Sequence, residues 1–337
     1  MSHQSRRERL TRISHRARDT IMVMLLFRIM ICGMVGLCST AALAQLSGHN
    51  TRGDLGMLSG TQAPVGLYGV GMVYDYSAGT LRDKRGNSFP TTAGGGSVDI
   101  SAVVAGLLWT TEKQLLGANY GFAVYPALTN NAVELPALQS DTETSTGLAD
   151  TYVQPLILGW TRDRADFTAG LGFYAPTGRY DPDADDNRGL GMWSYEAFAG
   201  TTVYFDEARS WHFAATAFYE THGEKEGSDV TVGDIVTIEG GFGKSFMEGA
   251  ASAGIAYFAQ WKVSRDDFGA TPPSGPIVGK HEVYGMGPEV SLPLASKSKL
   301  YGFANLRYFW ESGARSTLEG ETLLLTLTFS IPSMPLQ

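Results

Sequence analysis

Twelve stretches of this chain alternate apolar with small or polar side chains at period two, and none of them carries a helical period. Tyr68, Val70, Met72, Tyr74 and Tyr76 alternate with Gly69, Gly71, Val73, Asp75 and Ser77, and Leu323, Leu325, Leu327 and Phe329 alternate with Thr322, Leu324, Thr326 and Thr328. Period two is the signature of a two-faced strand. The segments fall near 64–77, 97–109, 114–126, 151–161, 166–176, 192–205, 210–221, 230–243, 250–263, 281–293, 300–310 and 321–331. Their connections alternate in length. Those at 110–113, 162–165, 206–208, 245–249 and 294–299 are tight, whereas those at 78–96, 127–150, 177–191, 222–229, 264–280 and 311–320 are mostly longer. Short turns at one end and long loops at the other mark an outer-membrane barrel with short periplasmic turns. The predicted fold class is therefore all-β, a transmembrane antiparallel β-barrel of about twelve strands with short periplasmic turns and long outer loops.

A soluble β-sandwich also alternates, but it turns its apolar faces inward and needs a polar outside. The tryptophans argue against it. Trp109, Trp160, Trp193, Trp211, Trp261 and Trp310 all fall near strand ends, where an amphipathic ring meets the headgroups, so two aromatic girdles are expected. The body of the chain has no uncharged apolar run of helical membrane-spanning length, and its mean hydropathy is −0.07, so a membrane would be crossed by strands.

Residues 1–44 read as a signal peptide: six arginines between Arg6 and Arg18, a mostly apolar stretch from Ile21 to Leu43, and Ala42-Leu43-Ala44 as a cleavage site before Gln45. Its loss removes seven arginines but only Glu8 and Asp19, so the exported chain is more acidic than the net −8 of the whole. That charge excludes a nucleic-acid partner, which needs a basic face. Both cysteines, Cys32 and Cys38, leave with the leader, and no disulfide or thiolate metal site remains. Residues 45–61 read as no strand and are expected to form a periplasmic tail or a plug, ahead of a barrel over 62–337.

Strand parity assigns Asp99, Asn119, Glu196, His212, Glu220, Glu239, Gln260, Lys262, Glu289, Asn305 and Arg307 to the pore lining. A Lys or Arg facing lipid near the midplane costs about 2 to 4 kcal/mol, which decides the side. The same parity turns Val70, Leu156, Leu171, Ala215, Ile255, Leu306 and Leu325 toward lipid. The second strand is ambiguous: Val98, Ile100, Ala102 and Val104 oppose Leu107 and Trp109 unless Gly106 marks a bulge. Twelve strands enclose a lumen that is narrow or plugged.

The run Phe173-Tyr174-Ala175-Pro176-Thr177-Gly178-Arg179-Tyr180-Asp181, with Asn187, Gly189 and Trp193-Ser194 after it, resembles a signature of the outer-membrane proteins of the phenol-degradation meta-pathway. Leu107-Leu108-Trp109, Leu116 to Gly121, Tyr152-Val153-Gln154-Pro155-Leu156 and the ending Leu323 to Phe329 are similar as well. The resemblance implies a channel-like barrel for small aromatic or other hydrophobic compounds, and it carries over no catalytic residue.

Two further patterns fall short of a site. Asp181, Asp183, Asp185 and Asp186 crowd one outer loop, but the full calcium-loop spacing is absent, and no metal is assigned. Ser210 and His212 share a parity, yet a Ser-His pair needs an orienting group and an oxyanion site, so no catalytic residue and no cofactor are expected. The expected function is passive uptake of small hydrophobic, aromatic compounds. The alternatives are a structural or adhesin-like barrel acting through its outer loops and, third, a lipid-modifying enzyme. Expected partners are outer-membrane lipid and lipopolysaccharide, the small hydrophobic solute and the barrel-assembly machinery.

Overall fold

The structure, a computed structural model, describes residues 46–88, 97–135, 140–182, 184, 186–269, 279–296 and 299–332. The leader expected over 1–44 lies outside the described residues, as do Asp183 and Asp185 of the acidic loop. Fifteen strands form one antiparallel sheet. They are β1 (Gly66–Leu81), β2 (Ser97–Leu115), β3 (Ala118–Tyr125), β4 (Ala127–Leu135), β5 (Ser140–Glu143), β6 (Gly147–Leu148), β7 (Thr151–Thr161), β8 (Ala165–Ala175), β9 (Ser194–Tyr204), β10 (Trp211–His222), β11 (Ile235–Phe246), β12 (Ala251–Lys262), β13 (Glu282–Ser296), β14 (Lys299–Arg315) and β15 (Leu318–Ile331). β1 pairs with both β2 and β15, which closes the sheet on itself. β3 and β4 are two lengths of one stave interrupted at Pro126, which has no N–H for the ladder, and β5 and β6 lie above β7 in the next stave. The wall is thus a closed, twelve-stranded antiparallel barrel. Closure gives every strand two neighbours except the short β5 and β6, which pair with β4, as hydrocarbon demands of backbone N–H and C=O groups in the membrane-spanning part of the wall.

At the lower rim the β2–β3 turn is two residues, Leu116 (φ 54°) and Gly117 (φ 75°), the left-handed pair that matches hairpin twist. At the upper rim two expected loops are instead strand. β14 and β15 run on to a two-residue turn at 316–317, and much of 127–150 is β4, β5 and β6. Above the membrane both faces of a strand meet water, so the alternation fades from the sequence while the ladder continues.

The outer surface carries exposed Leu171, Ile255, Leu306 and Leu323, with Phe205, Trp211 and Phe242 near one rim and Trp193, Tyr195 and Trp310 near the other. Aromatic neighbours pack along each rim, Trp211 on Phe242 at 5.5 Å and Trp261 on Tyr284 at 5.8 Å. Parity failed at two positions. Val70 faces the lumen, together with Met72, Tyr74 and Tyr76, while Val73 is exposed outside. Asp99 faces outside: β1 and β2 pair without a bulge, so the inner residues are Val98, Ile100, Ala102 and Val104, and Trp109 is exposed on the outer face. Asp99 accepts hydrogen bonds from Ser77 (2.6 Å) and Ser97 (2.8 Å), and Asp75 accepts one from Ser101 (2.9 Å). A hydrogen-bonded carboxylate well above the midplane costs about 0 to 1 kcal/mol, so charge does not dictate the side there.

Because the only two cysteines lie at Cys32 and Cys38, single-cysteine spin labels report this parity cleanly after export. A label on Val73→Cys should collide with oxygen dissolved in the bilayer, and one on Val70→Cys should be shielded, as read by power-saturation electron paramagnetic resonance.

Candidate functional site

Residues 46–62 pass through the inside of the barrel. A segment of turns, with one 3-10 turn at Gly56–Leu58, satisfies few of its own backbone groups, so the rest must find partners when it is buried in this way, and a row of inward glutamates supplies them. His49 N–H donates to Glu220 Oε1 at 2.7 Å, Gly53 and Leu55 N–H donate to the two oxygens of Glu239 at 2.5 and 3.1 Å, and Met57 N–H donates to Glu289 Oε2 at 2.7 Å. Asn50 Nδ2 donates to Glu196 Oε2 at 2.9 Å. In the opposite sense Arg307 Nη1 donates to the carbonyls of Gly53 and Asp54, and Lys262 Nζ to that of Leu46 at 2.7 Å. The acids come from β9, β10, β11 and β13, so four staves share the hold on the segment.

Ion pairs complete this half of the lumen. Arg307 Nε lies 3.4 Å from Glu289, Arg52 Nη2 lies 3.2 Å from Glu311, and Lys262 Nζ lies 2.6 Å from Asp266. His49 places Nε2 at 2.8 Å from Asp150 and Nδ1 at 2.7 Å from Ser194 Oγ. At Gly56 the chain turns through φ +70°, and Met57 then sits fully buried against Gly241, where a Cβ would lie 2.7 Å from that of Met57. A side chain at Gly241 would evict it.

The remaining predicted lining residues are dispersed. Asn305 Nδ2 donates to Glu289 Oε1 at 2.7 Å, and Gln260 Nε2 to Thr237 Oγ1 at 3.0 Å. Asn119 lies low in the wall, on the parity of Gly121 and opposite Gly159, both of which abut Gln62. His212 is fully buried beside Tyr204, with both ring nitrogens unpartnered among the described residues. Ser210 Oγ donates to Asp206 at 2.7 Å and so is not joined to His212. Asp99 faces outside, as described above.

Opposite the glutamates the lumen is open. A cavity of about 690 Å³ follows the inner faces of β1, β2 and β4 and reaches β15. Val70, Met72, Tyr74 and Tyr76 line it from β1, Val98, Ile100, Ala102, Val104 and Leu108 from β2, and Ala127 and Val133 from β4. The segment 46–55 forms its other wall. Where the two halves meet, Tyr125, Tyr152, Tyr174 and His49 form a stack, with ring centroids 6.3, 4.2 and 4.8 Å apart. The hollow therefore has two unlike walls: a largely apolar one from β1 and β2, and a polar one from the segment together with Asp150, Glu196, Gln260, Lys262 and Asp266. An apolar hollow with a few oriented polar groups is the usual form of a small-molecule site.

The model of the family described as "Putative MetA-pathway of phenol degradation" matches residues 78–327. The chain belongs to that family. Its fold is similar to that of the COG4313 outer membrane channel from Pseudomonas putida F1, at 13% identity and a TM-score of 0.67 over 84% of this chain and 100% of that one. A Pseudomonas aeruginosa FadL homologue aligns at 10% identity and a TM-score of 0.39, over 78% of this chain and 90% of that one. The beta domain of the Bordetella autotransporter BrkA aligns at 12% identity and a TM-score of 0.44, over 79% and 100%. No curated protein matches the chain.

His49, Arg52, Asp150, Ser194 and Glu311 did not stand out in the sequence. One signal was present: the sequence turns four glutamates inward, Glu196, Glu220, Glu239 and Glu289, against Lys262 and Arg307, which leaves acids in need of donors from outside the strands.

Glu289→Ala strips Met57 N–H and Asn305 Nδ2 of their acceptor, at about 1 to 3 kcal/mol for each group left unpaired. The segment should leave the lumen more often. Trypsin cleavage after Arg52 in detergent-folded protein should then run at least about tenfold faster than in the wild type, with the barrel still migrating as folded before heating.

Proposed function

We propose that the protein is a passive channel of the bacterial outer membrane for small hydrophobic, aromatic solutes. One observation carries this reading: one continuous wall of the hollow is made by Val70, Met72, Tyr74, Val98, Ile100, Ala102 and Val104, an apolar track along the inside of a barrel whose other inner side chains include many polar ones. An apolar wall gives a hydrophobic solute a surface to follow with no hydration to regain. Membership of the phenol-degradation family supports the same solute class. The outer face, apolar between aromatic rims, suits contact with lipid and lipopolysaccharide, and insertion falls to the barrel-assembly machinery. Asn119, Gln260 and His212 are proposed as packing or lining groups of the lumen, while Glu196, Glu220, Glu239, Glu289, Asn305, Lys262 and Arg307 hold the segment that narrows it.

A lipid-modifying enzyme built on Ser210 and His212 is not favoured, since Ser210 bonds Asp206 instead. The adhesin-like alternative rests on the upper loops and has no comparable feature behind it.

The test is entry of p-xylene into vesicles carrying the purified barrel. Wild type should pass p-xylene faster than protein-free vesicles, and Ile100→Asp should slow entry by about tenfold, because a carboxylate in the hollow retains water that an apolar solute must displace. Equal entry with and without protein would contradict the proposal. In cells, deletion should slow growth on aromatic carbon only when that carbon is scarce.

A further inference from the structure

Asn50, Arg188, His281, Ser316 and Thr326 of the cavity wall each carry a buried polar atom with no hydrogen-bond partner among the described residues, and two of these residues, His281 and Ser316, lie side by side. His281 lies just before β13 and Ser316 in the turn between β14 and β15; both line the cavity at its upper end. They are 7% and 8% exposed, and His281 Nε2 and Ser316 Oγ have no hydrogen-bond partner among the described residues. The register pairs Glu282 with Arg315, so the two side chains are adjacent across β13 and β14, on the inner parity shared by Val283 and Ala314. The backbone fixes them from both sides: Lys262 N–H donates to the carbonyl of His281 at 2.8 Å, and Ser316 N–H to that of Asp83 at 3.1 Å. Leaving a buried donor or acceptor unmade is costly, and such groups concentrate where a ligand or ordered water completes them.

The polar groups nearby are already engaged. Lys262 Nζ is held by Asp266 and the carbonyl of Leu46, and Glu311 by Arg52 and Tyr76. His281 sits above the membrane-spanning part of the wall, and burial, with Lys262, Arg52 and His222 adding to it, lowers its imidazole to about 3. A neutral imidazole beside a hydroxyl has no charge to offer a carboxylate, but it bonds well to a hydroxyl or a carbonyl. Leu81, Val98 and Leu318 line the cavity around them and are apolar.

We propose that His281 Nε2 and Ser316 Oγ form a polar subsite at the outer mouth of the lumen, which takes the single hydroxyl or carbonyl group of a neutral aromatic solute and leaves its apolar body against β1, β2 and β15. This rests on the uptake reading and names the part of the solute that the channel distinguishes. The subsite selects at entry: a hydroxyl that loses water finds two partners there, whereas a hydrocarbon of the same shape leaves both atoms unpaired.

The test is equilibrium binding of p-cresol and p-xylene, nearly isosteric, to the full folded chain in lipid nanodiscs by titration calorimetry. The quantity read is the ratio of the p-xylene Kd to the p-cresol Kd. Ser316→Ala, which removes one oxygen, should lower that ratio about threefold to tenfold relative to wild type, and His281→Phe should lower it by a similar factor. If His281→Phe does not migrate as a folded barrel, Ser316→Ala decides alone. A ratio unchanged within about twofold in the folded variants overturns the subsite. Failure of the uptake reading shows elsewhere, as p-xylene entry no faster than through bare lipid, and leaves the binding ratio to be read on its own.

Discussion

Carboxylates turned into a narrow, closed wall need donors, and in this barrel they find them in a stretch of its own chain. Glu220, Glu239 and Glu289 accept from the backbone N–H groups of His49, Gly53, Leu55 and Met57. Neither side of that bargain is stable alone. The segment has no strand ladder to bond it, and the acids exceed the cations beside them, so without the pairing each would leave polar groups unsatisfied in a partly dry interior. Their pairing fixes where the segment runs, and hence which half of the lumen stays empty.

The hollow half follows from the same division. Strands β9, β10, β11 and β13 present acids to the segment, whereas β1, β2 and β4 present Val70, Met72, Ile100, Val104 and Val133 to the hollow. Apolar clusters of Phe258, Phe309, Val283 and Leu324 on one side, and of Ile157, Phe198 and Phe218 on another, fill the lumen between. Arg52 spans from Glu311 to the rings of Tyr76 and Phe258 at 5.6 and 5.7 Å, where the polar and apolar halves meet. The barrel thus has two greasy surfaces, one outside for lipid and one inside.

That second greasy surface explains what could and could not be read from the sequence. The strands themselves were legible, because period-two alternation is a local property: the expected 166–176 and 210–221 segments are β8 at Ala165–Ala175 and β10 at Trp211–His222. Leu171, Ile255 and Leu306 were also placed correctly, since their strands carry polar groups on the other parity. Val70 was not, because polarity marks the inner face only where the lumen is polar, and β1 lines the part that is not. Asp99 failed for the complementary reason, as serines near the upper rim satisfy a carboxylate on the outside. The seating of residues 46–62 was illegible: Met57 and Glu289 are 232 positions apart, and no periodicity links them. His281 and Ser316 were hidden likewise, since strand register alone makes them neighbours.

The central claim is that small apolar solutes occupy the hollow beside β1 and not the space filled by the segment or the lipid around the wall. Three methionines report these places separately: Met72 lines the hollow, Met57 is fully buried where the segment packs on β11, and Met286 is exposed on the outer face. Carbon-13 methyl spectra of the folded barrel titrated with p-xylene test it most directly. The account expects a saturable ring-current shift at Met72, with Met57 unmoved and Met286 drifting only as solute partitions into lipid. A saturable shift at Met57, or none at Met72 while Met286 moves, would contradict it.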